Sequence, residues 1–129
     1  MTKSTNHSAT RNRLPEERFG LTQRVDSCGF TFYMTINFFD DHQPGEVFIV
    51  IAKVGSTISG FIDTLAMTIS IALQYGTPWK VLVDKYLNQN FEPRDDINPS
   101  LVHAIGMSMQ EMIELWQLAN KEKTNEVKA

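Results

Sequence analysis

Lys53, Gly55, Ser56 and Thr57 stand together in "EVFIVIAKVGSTISG", where an apolar stretch gives way to a small-residue turn. Those residue types can hold an anion. A helix beginning at the serine would present unpaired N–H groups and the positive end of its dipole. Gly55 would let a backbone approach closely, the hydroxyls of Ser56, Thr57 and Ser59 would add donors, and Lys53 would add a full charge. The stretch is not a Walker loop, since the lysine precedes the glycine and the GxxxxGK spacing is absent. The competing reading is a plain strand-to-helix corner with a Ser or Thr cap, and on the residues alone it is the stronger.

"FEPRDD" (91–96) is the second chemically suggestive stretch. Phe91 could stack on a base, and Arg94 could fork onto a phosphate. Asp95 and Asp96 could hold a divalent ion, although two adjacent carboxylates alone are a weak signal. The alternative is an ordered loop with Phe91 as a core plug. His7, His42 and His103 are scattered, and with one cysteine they form no zinc spacing. No nucleophile motif appears, and Glu16–Glu17 and Asp40–Asp41 read as solvated loop charge. The sequence therefore gives no catalytic residue, no metal site and no cofactor site.

The elements that must position these residues follow from the pattern of the chain. With 129 residues, 42% of them hydrophobic, it can bury one core. A net charge of −3 argues against general nucleic-acid binding. No apolar run approaches the roughly 18 residues of a membrane span, and no secretory core stands at the N-terminus. The lone Cys28 fits a reducing cytoplasm. "LTQRVDS" and "GFTFYMTINFF" alternate with period two, the second placing Phe30, Phe32, Met34, Ile36 and Phe38 on one face. "EVFIVIAKV" is apolar on both faces. It is expected to be central, or covered on one face and used in an interface on the other.

The period then changes. Ile58, Ile62, Leu65, Ile69 and Leu73 mark one face of a helix over 56–75, capped by Gly76. Thr77–Pro78 start a second helix and Asn98–Pro99 a third, whose seam is Val102, Ile105, Met109, Met112 and Trp116. The fold class is α+β: a three-stranded antiparallel meander followed by three helices packed on the sheet. Residues 1–13 are expected as a disordered tail, 14–118 as the domain and 119–129 as a flexible tail. Met67 and Ile71 lie off the main stripe of the first helix. They suggest either a homo-oligomer or cover by the other helices.

Four segments in fixed order carry a resemblance: "LPEER" (14–18), "QPGEVFIVIAKVGSTISG" (43–60), "SIALQYGTPWKVLVDKYLNQNFEP" (70–93) and "INPSLVHAIGMSMQEMI" (97–113). Over roughly residues 12–118 the chain resembles the TSCPD domain, the C-terminal region of adenosylcobalamin-dependent (class II) ribonucleotide reductases. The reductase works with a radical cysteine and a redox cysteine pair in a large barrel. A chain with no barrel and one cysteine is not that enzyme. Many TSCPD domains carry several cysteines suited to a metal, and Thr57 stands where another would be sought. The family often has Glu at the position of Val54, Arg at that of Asn90, and Ser-Gly or Ala-Gly where this chain has Arg94-Asp95-Asp96. The resemblance thus implies a repurposed, non-catalytic and oligomeric binding protein for a nucleotide-type ligand, of the kind phages use as nucleotide-signal sponges. Lys53, Gly55, Ser56 and Thr57 would hold phosphate, Phe91 a base, and Arg18, Arg24 or Arg94 further charge. The alternative is an accessory module docking on a ribonucleotide reductase or another protein.

Overall fold

The computed structural model describes residues 9–128, with side chains described as far as Lys121. Three strands come first: β1 (Phe19–Ser27), β2 (Phe30–Phe38) and β3 (Pro44–Ile51). They form an antiparallel sheet in the order β1-β2-β3. Three helices follow: α1 (Ser56–Gln74), α2 (Trp79–Tyr86) and α3 (Leu101–Lys128). The alternation in β2 does what period two requires. Phe32, Met34 and Ile36 are wholly buried, and their β3 partners are Ile51, Ile49 and Val47. Ile105, Met109 and Ile113 of α3 and Ile62, Ala66, Ile69 and Leu73 of α1 complete the core. Burying each large aliphatic side chain stabilises the fold by about 1.5–3 kcal/mol relative to exposure.

β3 is not central. It is an edge strand, and its two-sided apolarity has another cause. One face, Val47 and Ile49, enters the core; the other leaves Phe48 and Val50 exposed. α1 lies along its outer edge. There Val47 N–H donates to Ser70 Oγ (2.8 Å), Ser70 Oγ–H faces Val47 O (3.1 Å), and Gln74 Nε2 donates to Gly45 O (2.9 Å). Those contacts satisfy backbone groups that an edge strand would otherwise expose. α1 has one charged residue, Asp63, and is long and apolar enough by length and composition to cross a membrane, with 22% of its apolar window buried. Small polar residues interrupt every apolar run in it, which hides this from a search for unbroken stretches.

The helix boundaries follow their caps. α1 ends in a Schellman arrangement: Gly76 N–H donates to Leu73 O, Thr77 N–H to Ala72 O, and Gly76 takes φ +98°. α2 starts at Trp79 with Pro78, not Thr77, in the cap position. α3 is capped by Ser100, whose Oγ accepts from His103 N–H (3.1 Å). Asn98, the expected cap, instead donates its amide to Ser27 Oγ (2.7 Å). α3 also packs on α2, β1 and β2, so its buried face is wider than the expected seam and includes Leu101, Ala104 and Ile113.

Two tail expectations change. Of the segment 1–13, residues 1–8 lie outside the described residues, while Asn12 N–H donates to Gln74 O and Arg11 Nε to Gln74 Oε1. At the other end the backbone of α3 stays helical to Lys128, through the segment read as a flexible tail. No glycine or proline after Gly106 interrupts it.

Candidate functional site

One end of the sheet gathers three connections. The β1–β2 turn, the β3–α1 corner and the 88–100 loop all lie there. Ala52 N–H donates to Thr31 O, which ties the corner to the start of β2. Asp95 ties the loop to the turn: Oδ2 accepts from Cys28 N–H (2.8 Å) and Ser27 Oγ–H (3.0 Å). Its Oδ1 accepts from Ile97 N–H (2.8 Å) and Asn98 N–H (2.6 Å). Hydrogen bonds from Asn98, Cys28 and Ile97 hold the Asp95 carboxyl well below the usual carboxylate range. With both oxygens engaged, Asp95 is a clamp between loop and turn and not an open ligand for a divalent ion.

The corner itself is built differently from either sequence expectation. The N-cap of α1 is Gly55, with φ −71° and ψ 168°, and no side chain caps the helix. The Ser or Thr cap is therefore absent, and the first N–H groups of α1 open to the surface beside the exposed Ser56 and Thr57. Gly55 is not forced by crowding, since a Cβ there would meet nothing within 4 Å. The left-handed position belongs to Lys53, at φ +56°. A non-glycine residue there costs about 1–2 kcal/mol. Lys53 is exposed, and its ammonium has no partner among the described residues.

The other expected ligand residues divide. Phe91 is 45% exposed and so is no core plug; it anchors the loop through its N–H to Pro99 O. Arg94 is exposed and pairs with Glu92 at 2.9 Å. Both belong to the loop that Asp95 fastens to the Lys53 end of the sheet. Arg24 lies on the outer face of β1 and contacts Asp26 at 3.4 Å, where the hydrogen bond from Thr31, then Arg24 itself, lowers the Asp26 carboxyl. Arg18 lies at the opposite end, just before β1. Its Nη1 contacts both oxygens of the buried Glu46 (2.7 and 2.8 Å), Asn37 Nδ2 donates to the same carboxylate, and Arg18 Nε donates to Pro15 O. The structure thus places Lys53, Gly55, Ser56, Thr57, Phe91 and Arg94 at one end and commits Arg18 to a structural ion pair.

Concavities also lie elsewhere among the described residues. One, of about 660 Å³, sits at the far end of the sheet between the β2–β3 turn and the α1–α2 corner, with Asp40, Asp41 and Trp79 in its lining. A second, of about 390 Å³, runs between β3 and α1 past Phe48, Val50 and Met67. Ser70 and Gln74, which build the second one's floor, were not singled out by sequence reasoning. Their signal was present: two polar residues four apart beside the apolar stripe of α1. Cys28 is buried, with its thiol directed at Asn98 O (3.5 Å). Among the described residues no group of three or more His, Cys, Asp or Glu side chains could hold a metal ion.

Fold and site together define a small α+β module, with a three-stranded meander, an uncapped helix start and a clamped loop at one end. The TSCPD domain model matches residues 6–113, and the chain belongs to the TSCPD domain family. Curated relatives are vitamin B12-dependent ribonucleotide reductases. That of Rhodopirellula baltica is 43% identical over 83 residues, 64% of this chain and 8% of the relative. That of Streptantibioticus cattleyicolor is 40% identical over 91 residues, 70% of this chain and 15% of the relative. That of Bradyrhizobium diazoefficiens is 34% identical over 96 residues, 73% of this chain and 8% of the relative. The chain thus spans a small fraction of the relatives it matches, consistent with a C-terminal region. No solved structure matches.

Proposed function

We propose that this TSCPD domain is a non-catalytic binding protein for a nucleotide-type anion, which it sequesters or senses. The observation that carries the reading is the β3–α1 corner: a lysine held in a left-handed backbone conformation, without an ion-pair partner, directly before an uncapped helix start. Backbone strain at a ligand clamp has a physical rationale, since it fixes a group where binding needs it. The N–H groups of α1 and Lys53 supply the phosphate contacts. Arg94 exchanges Glu92 for the ligand, and the exposed ring of Phe91 offers a stacking face. The carboxylates Asp95 and Glu46 are both engaged by hydrogen bonds at each oxygen, which leaves neither of them available as a general base.

A thermal-shift screen of nucleotides, dinucleotides and cyclic nucleotides, with mass analysis of what the purified protein carries, tests this. A ligand that binds only the folded state raises the melting temperature, by about 2.7 kcal/mol of stabilisation at 100 times Kd. The expected result is a hit whose shift is lost in Lys53→Ala and reduced in Arg94→Ala, with the nucleotide recovered intact. A flat screen overturns the reading, and turnover of any nucleotide overturns its non-catalytic part. A second reading is an accessory module that docks on a reductase or another protein. It is favoured by the relatives, in which the matched region is only 8–15% of a much longer chain. Co-purification of a large partner without a small ligand would select it.

A further inference from the structure

An antiparallel sheet with one solvated face normally turns polar residues to that face. β1 and β2 mostly comply, with Thr22, Arg24 and Thr35 outward. β3 does not: Phe48 is 51% exposed and Val50 67%. Beside them α1 presents Met67, 60% exposed, and Ile71 across the groove. The apolar strip is therefore concentrated on β3 and one flank of α1, with Tyr33 of β2 beside Val50, and hydrogen bonds from Ser70 and Gln74 join β3 to α1.

The two ends of the strip carry opposite charge. At one end lies Arg11, fixed through its Nε to Gln74 Oε1 at 2.6 Å, with its remaining guanidinium nitrogens unpaired among the described residues. At the other end lies Asp63, which also has no partner among the described residues. Asp63 and Gln74 are eleven positions apart on α1, roughly 16 Å. A strip with a cation at one end, a carboxylate at the other and apolar residues between is complementary to itself turned end over end. That is the condition an isologous interface must meet.

We propose that this face is a two-fold dimer interface between copies of this chain. α1 and β3 of the two copies pack antiparallel. Met67 and Ile71 lie near the axis, and Arg11 of each copy meets the partner's Asp63. β3 and the flank of α1 give a strip roughly 25 Å long and about 15 Å wide, on the order of 400 Å² in projection and about half the ~800 Å² per partner of a standard interface, which is the size of a weak, concentration-dependent dimer. The interface does not depend on anion binding at Lys53, because the strip stops short of the α1 N-terminus.

Sedimentation velocity of the full chain, over a concentration series up to roughly 100 μM, reads the association constant directly. The expected species is a dimer. Met67→Glu buries a charge at the axis and should weaken it by at least about tenfold. Asp63→Arg sets it against the partner's Arg11 and should weaken it as well, while Asp63→Arg combined with Arg11→Glu should recover most of the loss. Met67 and Asp63 are both exposed in the single chain, so each variant should keep the wild-type circular dichroism, and the second serves if the first misfolds. A monomer at every concentration overturns the proposal. So does a dimer that tolerates Met67→Glu and Asp63→Arg, or a face occupied only by a different protein.

Discussion

Asp95 shows how a single carboxylate can organise a loop that sequence reasoning would give to a metal. Its two oxygens take four donors, two from its own loop and two from the β1–β2 turn. Its pKa in the folded protein is depressed below the unfolded value of about 3.9, so its contribution to stability is complete above that value. The contribution is lost as the pH falls below about 4 towards the folded pKa. Asp95→Asn keeps one acceptor but turns an amide against two of the donors. The expected outcome is a lower melting temperature at pH 7 and a shallower decline below pH 4, read by circular dichroism. An unchanged acid profile would show that the clamp is not what fastens the loop. The sequence made Asp95 conspicuous but not its role. Its partners Cys28 and Ser27 lie more than sixty positions away, and nothing local announces them. Asn98 shows the same limit, drawn from the expected cap to Ser27 by a contact no pattern encodes.

At the scale of elements, the edge of β3 depends on one hydroxyl. Ser70 Oγ is the acceptor for Val47 N–H, and Val47 is 1% exposed. Ser70→Ala leaves that N–H buried and unpaired, which should cost about 1–3 kcal/mol in chemical denaturation with no change in secondary structure. A loss under half a kcal/mol would mean that the edge is supported in some other way. Gly20 is a second such point, because a Cβ there would stand 2.0 Å from Ile36 O of the neighbouring strand. Gly20→Ala should therefore destabilise the β1–β2 pairing, visible as early proton exchange of the β1 amides. The periods of β2 and α1 were legible because their partners repeat regularly. The rank of β3 in the sheet was not. Residues apolar on both faces of a strand look the same whether the second face meets a layer of the same chain, a helix at its edge or another molecule.

For the whole molecule, one buried cluster draws residues from β2, β3 and all three helices. Unfolding should therefore be a single transition, with the tryptophan fluorescence and far-ultraviolet signals coincident. Non-coincident curves would split the domain. α3 also reaches past the region of family similarity to stack Trp116 on Phe38, with ring centroids 4.7 Å apart, and to place the indole N–H on His42 Nδ1 (3.2 Å). Ending the chain after Ile113 should lower the melting point by removing that stack. The α+β order, the meander and the helix count could all be read from alternation and turn chemistry. The β3–α1 corner was legible as a motif. Its uncapped helix start was not, because Ser and Thr beside a helix start usually cap it.

The described N-terminal residues and the Trp116–Gln117 stretch of α3 lie on the same side of the domain. Asn12 sits by Gly76 and the β2–β3 turn, and Gln117 bonds His42 in that same turn. The Lys53 corner faces the other way. Such a body can be wired into a host chain by either lead, or by both, like a plug whose two pins share one face. A linker attached there would leave the opposite surface unobstructed, so the module could be transplanted between proteins without rebuilding what it presents.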